Sequence, residues 1–256
     1  MDCLLRLDAI RYTYPGKPLP VLRCASLDLT PETRLGLTGS NGEGKSTLLH
    51  IAAGLLLPET GTIWFKDAPC KQEKDFAAMR LRLGYLLQHA EDQLFCPTIL
   101  EDVAFGPYNQ GHDRQEAEHI ARSTLERMEL SHLAGLNGSS LSGGEKKMAA
   151  LAAILSMRPD MLFLDEPTND LDPPNREKFM TLLREDNLPC VIISHDWDFL
   201  AQTCNTFRLL RSGMIHPLPE TAHRHMHIHP AGNDSHVHEV PAETAYTGEE
   251  KKVNSS

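Results

Sequence analysis

Gly39-Ser40-Asn41-Gly42-Glu43-Gly44-Lys45-Ser46-Thr47 is the stretch on which the reading of this chain turns. It fits G-x-x-x-x-G-K-[ST], a loop that wraps a chain of phosphates. Its glycines let backbone N–H groups close around the phosphates, and the positive N-terminal end of a following helix adds to them. Lys45 offers a point charge to the β- and γ-phosphates, and the Ser46 hydroxyl suits a Mg2+ ion. The flanks agree: Arg34–Thr38 reads as a short apolar strand feeding the loop, and Lys45–Ala53 as the helix leaving it. Further on, Met161-Leu162-Phe163-Leu164-Asp165-Glu166 is an apolar strand that ends in two carboxylates. Side-chain alternation along a strand points these in different directions. Asp165 then suits the Mg2+ shell, and Glu166 suits polarising an attacking water.

The rest of the chain alternates in the same way. Residues 3–14 and 21–30 read as strands, with Leu27 and Leu29 set against Asp28 and Thr30. Thr60–Phe65, Leu83–Leu87, Cys190–Ile193 and Phe207–Leu210 are further strands. Residues 114–130, 143–156 and 175–184 read as helices, the first carrying Ala117, Ile120, Ala121, Thr124, Leu125 and Met128 on one face. Strands alternating with helices predict an α/β core with parallel strands, interrupted by a helical insert over about residues 89–157. The 256 residues suffice for one large or two small domains. A net charge of −10 argues against nucleic-acid binding through a basic face. No apolar run approaches the roughly 20 residues of a membrane span. The N-terminus lacks the basic start and apolar core of a signal peptide. Cys3, Cys24, Cys70, Cys96, Cys190 and Cys204 form no CxxC pair, so reduced thiols and a cytosolic protein are expected.

A second glycine motif, Leu141-Ser142-Gly143-Gly144-Glu145, precedes an apolar helical run. Ser142 and Glu145 have the spacing of a capping box. That does not explain Gly143 and Gly144, which weaken a first helical turn, whereas bare N–H groups at a helix start suit a γ-phosphate. A phosphate loop followed by Leu-Ser-Gly-Gly-Glu resembles the ATPase subunits of ABC transporters over about residues 1–217. The resemblance implies a P-loop ATPase core with an antiparallel β subdomain and an inserted helical subdomain. It also implies a dimer in which each Leu-Ser-Gly-Gly-Glu closes over ATP held by the other subunit. Gln88 resembles the glutamine that contacts Mg2+ and water and senses the membrane partner. Asn169-Asp170-Leu171-Asp172 resembles the D-loop linking the two sites, and His195 the switch histidine that contacts the γ-phosphate. Tyr14 resembles the aromatic that stacks on adenine, with Tyr12 close by. Mg2+ would then be held by Ser46, Gln88 and Asp165. Two departures stand out: Glu145-Lys146-Lys147 replaces the usual Gln-Lys-Gln, and Asn169-Asp170 replaces small residues.

The segment from His89 to Gly111 is similar to that of energy-coupling-factor transporters, especially cobalt and nickel importers. There it docks helices of a transmembrane coupling protein. Leu94, Phe95, Ile99, Val103 and Phe105 are candidates for an apolar groove that receives an amphipathic helix. The resemblance implies a peripheral protein on the cytoplasmic face of the membrane, with a second ATPase subunit, the coupling protein and a membrane substrate-capture component as partners.

Beyond residue 218 large apolar residues nearly vanish, and a disordered tail over residues 219–256 is expected. Of the 13 histidines, seven lie at 216, 223, 225, 227, 229, 236 and 238. The alternate placing of His223, His225, His227 and His229, with His236 and His238 beyond, suits ligation of Ni2+, Co2+, Cu2+ or Zn2+, of which the importer resemblance favours Ni2+ or Co2+. The leading expectation is the ATPase of a nickel or cobalt importer. An ATPase of another ABC transporter, a soluble ABC protein and a metal store or carrier with secondary ATPase activity are the alternatives.

Overall fold

Two short apolar strands show how the layers are built. In β7 (Met161–Asp165) and β8 (Cys190–Ile193) every residue is buried. Leu162, Leu164, Cys190 and Ile192 belong to one core, and Met161, Phe163, Val191 and Ile193 to another. A sheet covered on both faces needs strands without polar alternation, and both segments read as continuous apolar runs. The computed structural model describes residues 3–218 and the backbone of residues 225–226 and 237–238. The chain divides into a unit of residues 1–216 and a second of residues 217–256.

The larger unit holds a six-stranded sheet ordered β10-β9-β3-β8-β7-β6, with β3 (Arg34–Thr38), β6 (Leu83–Leu86), β9 (Thr206–Arg211) and β10 (Met214–Pro217) completing it. Strands β9, β3, β8, β7 and β6 are parallel. One face packs against α1 (Lys45–Ala52), α2 (Glu73–Arg80) and a separate four-stranded sheet. That sheet, ordered β2-β1-β4-β5, consists of β1 (Leu5–Tyr12), β2 (Leu22–Leu29), β4 (Thr60–Phe65) and β5 (Ala68–Cys70), all antiparallel. It is the expected β subdomain. The incomplete alternation of β1 has a cause: the ladders shift register around Ala9, whose φ is +50°. Opposite it, Gly61 has φ +100°, and a Cβ there would meet the carbonyl oxygens of Asp8 and Ala9 at 2.6 and 2.8 Å.

The other face carries the helical elements. These are a short 3-10 turn (Ala90–Gln93), α3 (Ile99–Asn109), α4 (Arg114–Arg127), α5 (Gly143–Leu155), α6 (Pro173–Asp186) and α7 (Trp197–Thr203). Of these, the 3-10 turn, α3, α4 and α5 fall within residues 89–157. Ala117, Ala121, Leu125 and Met128 are buried along α4 and beyond its end, whereas Ile120 and Thr124 are only partly covered. Helices α3 and α5 start with reciprocal caps, Thr98 with Glu101 and Ser142 with Glu145. All six cysteines are free.

In the second unit, residues 225–226 and 237–238 form a two-residue antiparallel ladder with His225 opposite His238. The composition had suggested no regular structure there. His223, His227, His229 and His236 lie outside the described residues.

Phe179 of α6 is fully enclosed and its ring lies 6.2 Å from that of Phe199 on α7. Phe179→Ala should lower the unfolding free energy by about 3–5 kcal/mol in chemical denaturation. Glu118→Ala, which breaks only the exposed pair with Arg122, should leave the midpoint unchanged.

Candidate nucleotide site

The phosphate loop leaves β3 at Thr38 and returns as α1, so its position is set by the middle of the parallel sheet. Gly39 has φ +144°, and a Cβ there would meet the carbonyl oxygen of Leu210 at 2.4 Å. Only glycine lets the loop start this close to β9. Gly44, with φ +98°, caps α1. The Glu43 carboxylate accepts a hydrogen bond from the Ser212 N–H at 2.6 Å, tying the loop to the β9–β10 turn. Lys45 is 8% exposed, and its Nζ donates to the carbonyls of Gly39 (2.6 Å) and Ser40 (3.1 Å). Burial lowers its pKa, opposed by the carboxylates of Glu166, Asp165 and Glu43.

Above the loop lies a cavity of about 800 Å³. Asn41, Gly42, Gly44, Lys45, Ser46 and Thr47 line its floor, and Asp165, Glu166, Gln88 and His195 its far wall. These four come from neighbouring strands: Asp165 ends β7 and Glu166 follows it, Gln88 follows β6 and His195 follows β8. Tyr14 lines a third wall together with Lys17, Pro18, Leu19 and Val21. Its hydroxyl is 2.9 Å from that of Thr47 and its ring packs edge-on against Tyr12. Tyr12 packs on the core, and Tyr14 lines the cavity.

The two carboxylates part company differently from the expectation. Glu166 lies beyond the strand, with φ +47°, so a left-handed backbone break, not strand alternation, turns its side chain. Its N–H donates to the Ile193 carbonyl at 2.8 Å. Burial raises the Glu166 pKa, with His195 pulling the other way. His195 Nε2 lies 3.5 Å from Glu166 Oε1 and 3.1 Å from Asn41 Oδ1, and the His195 N–H points at Glu166 Oε2 at 3.4 Å. The phosphate loop, the acidic strand end and the histidine thus already touch. Ser46, Asp165 and Gln88 present a hydroxyl, a carboxylate and an amide carbonyl. This all-oxygen set fits Mg2+, which keeps its remaining positions for water and phosphate oxygens.

Leu141, Ser142, Gly143, Gly144 and Glu145 do not line this cavity, nor does Asp172. The capping-box reading of the motif holds: Ser142 N–H and Oγ–H both donate to Glu145 Oε2, at 2.8 and 2.7 Å. The glycines have a separate reason. A Cβ at Gly143 would sit 3.2 Å from Asp170 Cβ, and one at Gly144 3.3 Å from the Asp170 carbonyl oxygen. Their bareness lets the Asn169–Asp172 turn lie against the helix start, while their N–H groups have no partner within the helix. Asp172 caps α6, accepting from the Asn175 N–H at 3.0 Å.

Sequence reasoning missed Lys17, Pro18, Leu19 and Val21, which belong to a turn without a motif; the only signal was Pro15-Gly16 between two strands. The apolar groove needs correcting. Ile99 and Val103 are fully buried in the core, since they occupy the inward face of α3. A separate groove of about 450 Å³ is lined by Cys96, Pro97, Leu100, Ala104, Phe105 and Tyr108, among others. Phe95, outside the lining, meets Phe105 edge-on, the two rings 64% and 44% exposed. Among the described residues, no cluster of three or more His, Cys, Asp or Glu side chains is arranged for a metal ion, and no helix is long and apolar enough to cross a membrane.

The family profile for ABC transporters matches residues 22–169. A Nitratidesulfovibrio vulgaris protein, provisionally named an ABC transporter ATP-binding protein, is 52% identical over 235 residues, 92% of this chain and 86% of its own length. The energy-coupling factor transporter ATP-binding protein EcfA of Methanothermobacter thermautotrophicus is 36% identical over 83% of this chain and 69% of its own. Among solved structures, cbiO1 of Clostridium perfringens, part of the ABC transporter complex cbiONQ, superposes with TM-score 0.74 at 30% identity, covering 84% of this chain and 88% of that one. The dimeric cassette MJ0796, at 24% identity and TM-score 0.74, shares the fold. The chain therefore belongs to the ABC transporter family, as one of its ATP-hydrolysing ATP-binding proteins.

Proposed function

We propose that this chain is the ATPase subunit of an energy-coupling-factor type importer for nickel or cobalt, working as a pair of copies. The observation that carries the pairing is the division of the site. One cavity gathers the phosphate loop, Asp165, Glu166, Gln88 and His195, while the Leu141–Glu145 helix start lies outside it with spare N–H donors. A second copy supplying that helix end would complete the enclosure of the γ-phosphate. The exposed Phe95, Phe105 and Tyr108 beside the groove on α3 support docking of an apolar helix from a transmembrane coupling protein. Likeness to EcfA and to cbiO1 supports the energy-coupling-factor assignment, with a membrane substrate-capture component as further partner and the cytoplasmic face as location. The tail histidines favour a transition metal as solute.

In this reading Tyr14 stacks on adenine, and the Gly39–Thr47 loop with Lys45 holds the phosphates. Ser46, Asp165 and Gln88 hold Mg2+, which neutralises charge on the β- and γ-phosphates when bound. Glu166 takes a hydrogen bond from the attacking water and polarises it toward phosphorus. His195 contacts the γ-phosphate, and Asn41, its present partner, releases it when nucleotide arrives. Asp172 lies in the turn that faces the second copy.

Glu166→Gln should retain ATP binding and cut hydrolysis by roughly 100-fold or more in a phosphate-release assay. A base must be ionised, so activity falls as pH drops through the Glu166 pKa, which burial has raised. Removing His195, which lowers that pKa, should move the acid limb of the residual His195→Ala profile to higher pH. A limb that stays put would contradict the pairing of the two groups.

Deleting residues 219–256 should leave the fold and basal ATPase intact and remove most Ni2+ or Co2+ binding in calorimetric titration. Binding to the full chain should fade as pH falls through about 6.5, where imidazoles protonate. Equal binding by both forms would count against the tail as a metal site.

A further inference from the structure

Lys147 lies on α5, two residues beyond the capping Glu145, and is 1% exposed, one of the largest fully enclosed side chains of the protein. An ammonium group enclosed to this degree persists only where its N–H donors are used. Here Nζ donates to the backbone carbonyl of Gln88 at 2.8 Å and, more weakly, to that of Glu166 at 3.4 Å. These two carbonyls sit just past the ends of β6 and β7, adjacent parallel strands, where the Gln88 and Glu166 side chains enter the cavity. Burial lowers the Lys147 pKa, opposed by the carboxylates of Asp170, Glu91, Asp165 and Glu166.

Both backbones are held elsewhere too, and Lys147 is the group they share. Glu166 occupies a left-handed conformation that a non-glycine residue adopts only under surrounding constraint. Its N–H is fixed by Ile193 and its carbonyl by Lys147 and the Asn169 N–H. Just before Gln88, the Gln93 side chain donates to the Tyr85 carbonyl at 2.8 Å and accepts from the Leu87 N–H at 2.9 Å. The strand end is thus clamped by one side chain of the helical insert and Gln88 itself by another. Where the resembled Gln-Lys-Gln stretch would place a neutral glutamine, this chain has Lys147.

We infer that Lys147 is a positioning residue for hydrolysis: it ties the helix that begins at Leu-Ser-Gly-Gly-Glu to the backbones of Gln88 and Glu166, so that a shift of α5 reorients both groups together. The inference rests on the reading of Glu166 as base. Full-length Lys147→Met and Lys147→Gln are compared with the parent for kcat, KM for ATP, ATP-binding stoichiometry and melting temperature. Methionine matches the length and apolar surroundings without a donor; glutamine restores a donor without the charge. A positioning role requires kcat per ATP-binding site to fall about tenfold or more in Lys147→Met, with KM within about twofold, and to recover in Lys147→Gln. A packing role requires the reverse order, because a neutral apolar side chain is the better occupant of a buried site. Lys147→Met at parental kcat, or a loss matched by lost ATP-binding sites, would overturn the inference. Glu166→Gln assayed alongside separates the layers. If it is inactive while Lys147→Met is fully active, only the Lys147 inference falls; if it turns over normally, the base assignment and the inference fall together.

Discussion

Four parallel strands lying side by side position the groups of the nucleotide cavity. β3, β8, β7 and β6 run in register through a sheet buried on both faces, and each ends at the same edge. The phosphate loop follows the first, His195 the second, Asp165 and Glu166 the third and Gln88 the fourth. Ligands of open α/β sheets bind outside the carboxyl ends of the strands because loops of different crossovers converge there. The continuous apolar runs that make these strands give the edge its rigidity, and polar chemistry begins only where each run stops. The pKa values follow from that placement: Lys45 and Glu166 are held near the dry sheet edge, where burial works against their charged forms.

The same constraint explains why the Leu-Ser-Gly-Gly-Glu helix is not part of its own chain's cavity. α5 packs against the opposite face of the sheet and its start is occupied locally, by the Ser142–Glu145 cap and by Asp170 lying on Gly143 and Gly144. Within one chain the motif works as a well-made helix start. Under the proposed pairing its free helix-start N–H groups would face the partner copy's phosphate. Asp170, which replaces a small residue, lies where a Cβ on either glycine would crowd it and its charge favours the ammonium form of Lys147, so the departure sits where the two motifs of one chain meet.

The parts of the fold legible in the sequence were those carried by apolar pattern or by glycine chemistry. Arg34–Thr38, Thr60–Phe65 and Cys190–Ile193 were read to the residue, because a short apolar run bounded by turn residues has one sensible structure. α2 was missed: it is eight residues long and buries only Phe76 and Met79, too little to show a period. α7, seven residues with Phe199, Leu200 and Thr203 buried, was missed for the same reason. Of the residues read from motifs, Asn41 to Thr47 of the phosphate loop (Glu43 excepted), Asp165, Glu166, Gln88 and His195 come together at one cavity. The Lys17–Leu19 wall was not found in the sequence, since it is defined by where a turn passes and not by residue type. Lys147 read as a marginal departure because burial and two backbone carbonyls 78 residues apart in the chain are invisible in one dimension. Ile99 and Val103 were assigned to the groove because α3 was not separated from its surroundings, so its inward face went unrecognised.

The claim that one ATP is handled by two copies of this chain is tested most directly by mixing two inactive variants. Lys45→Ala disables the phosphate loop and Ser142→Arg blocks the helix start that would cover the partner's phosphate. In a mixed dimer one composite site has both motifs intact and the other has neither. The account predicts that each variant alone is inactive and that the mixture recovers ATP-dependent association and a part of the parental hydrolysis. Failure of the mixture to recover either activity, or full hydrolysis by a strictly monomeric parent, would contradict it.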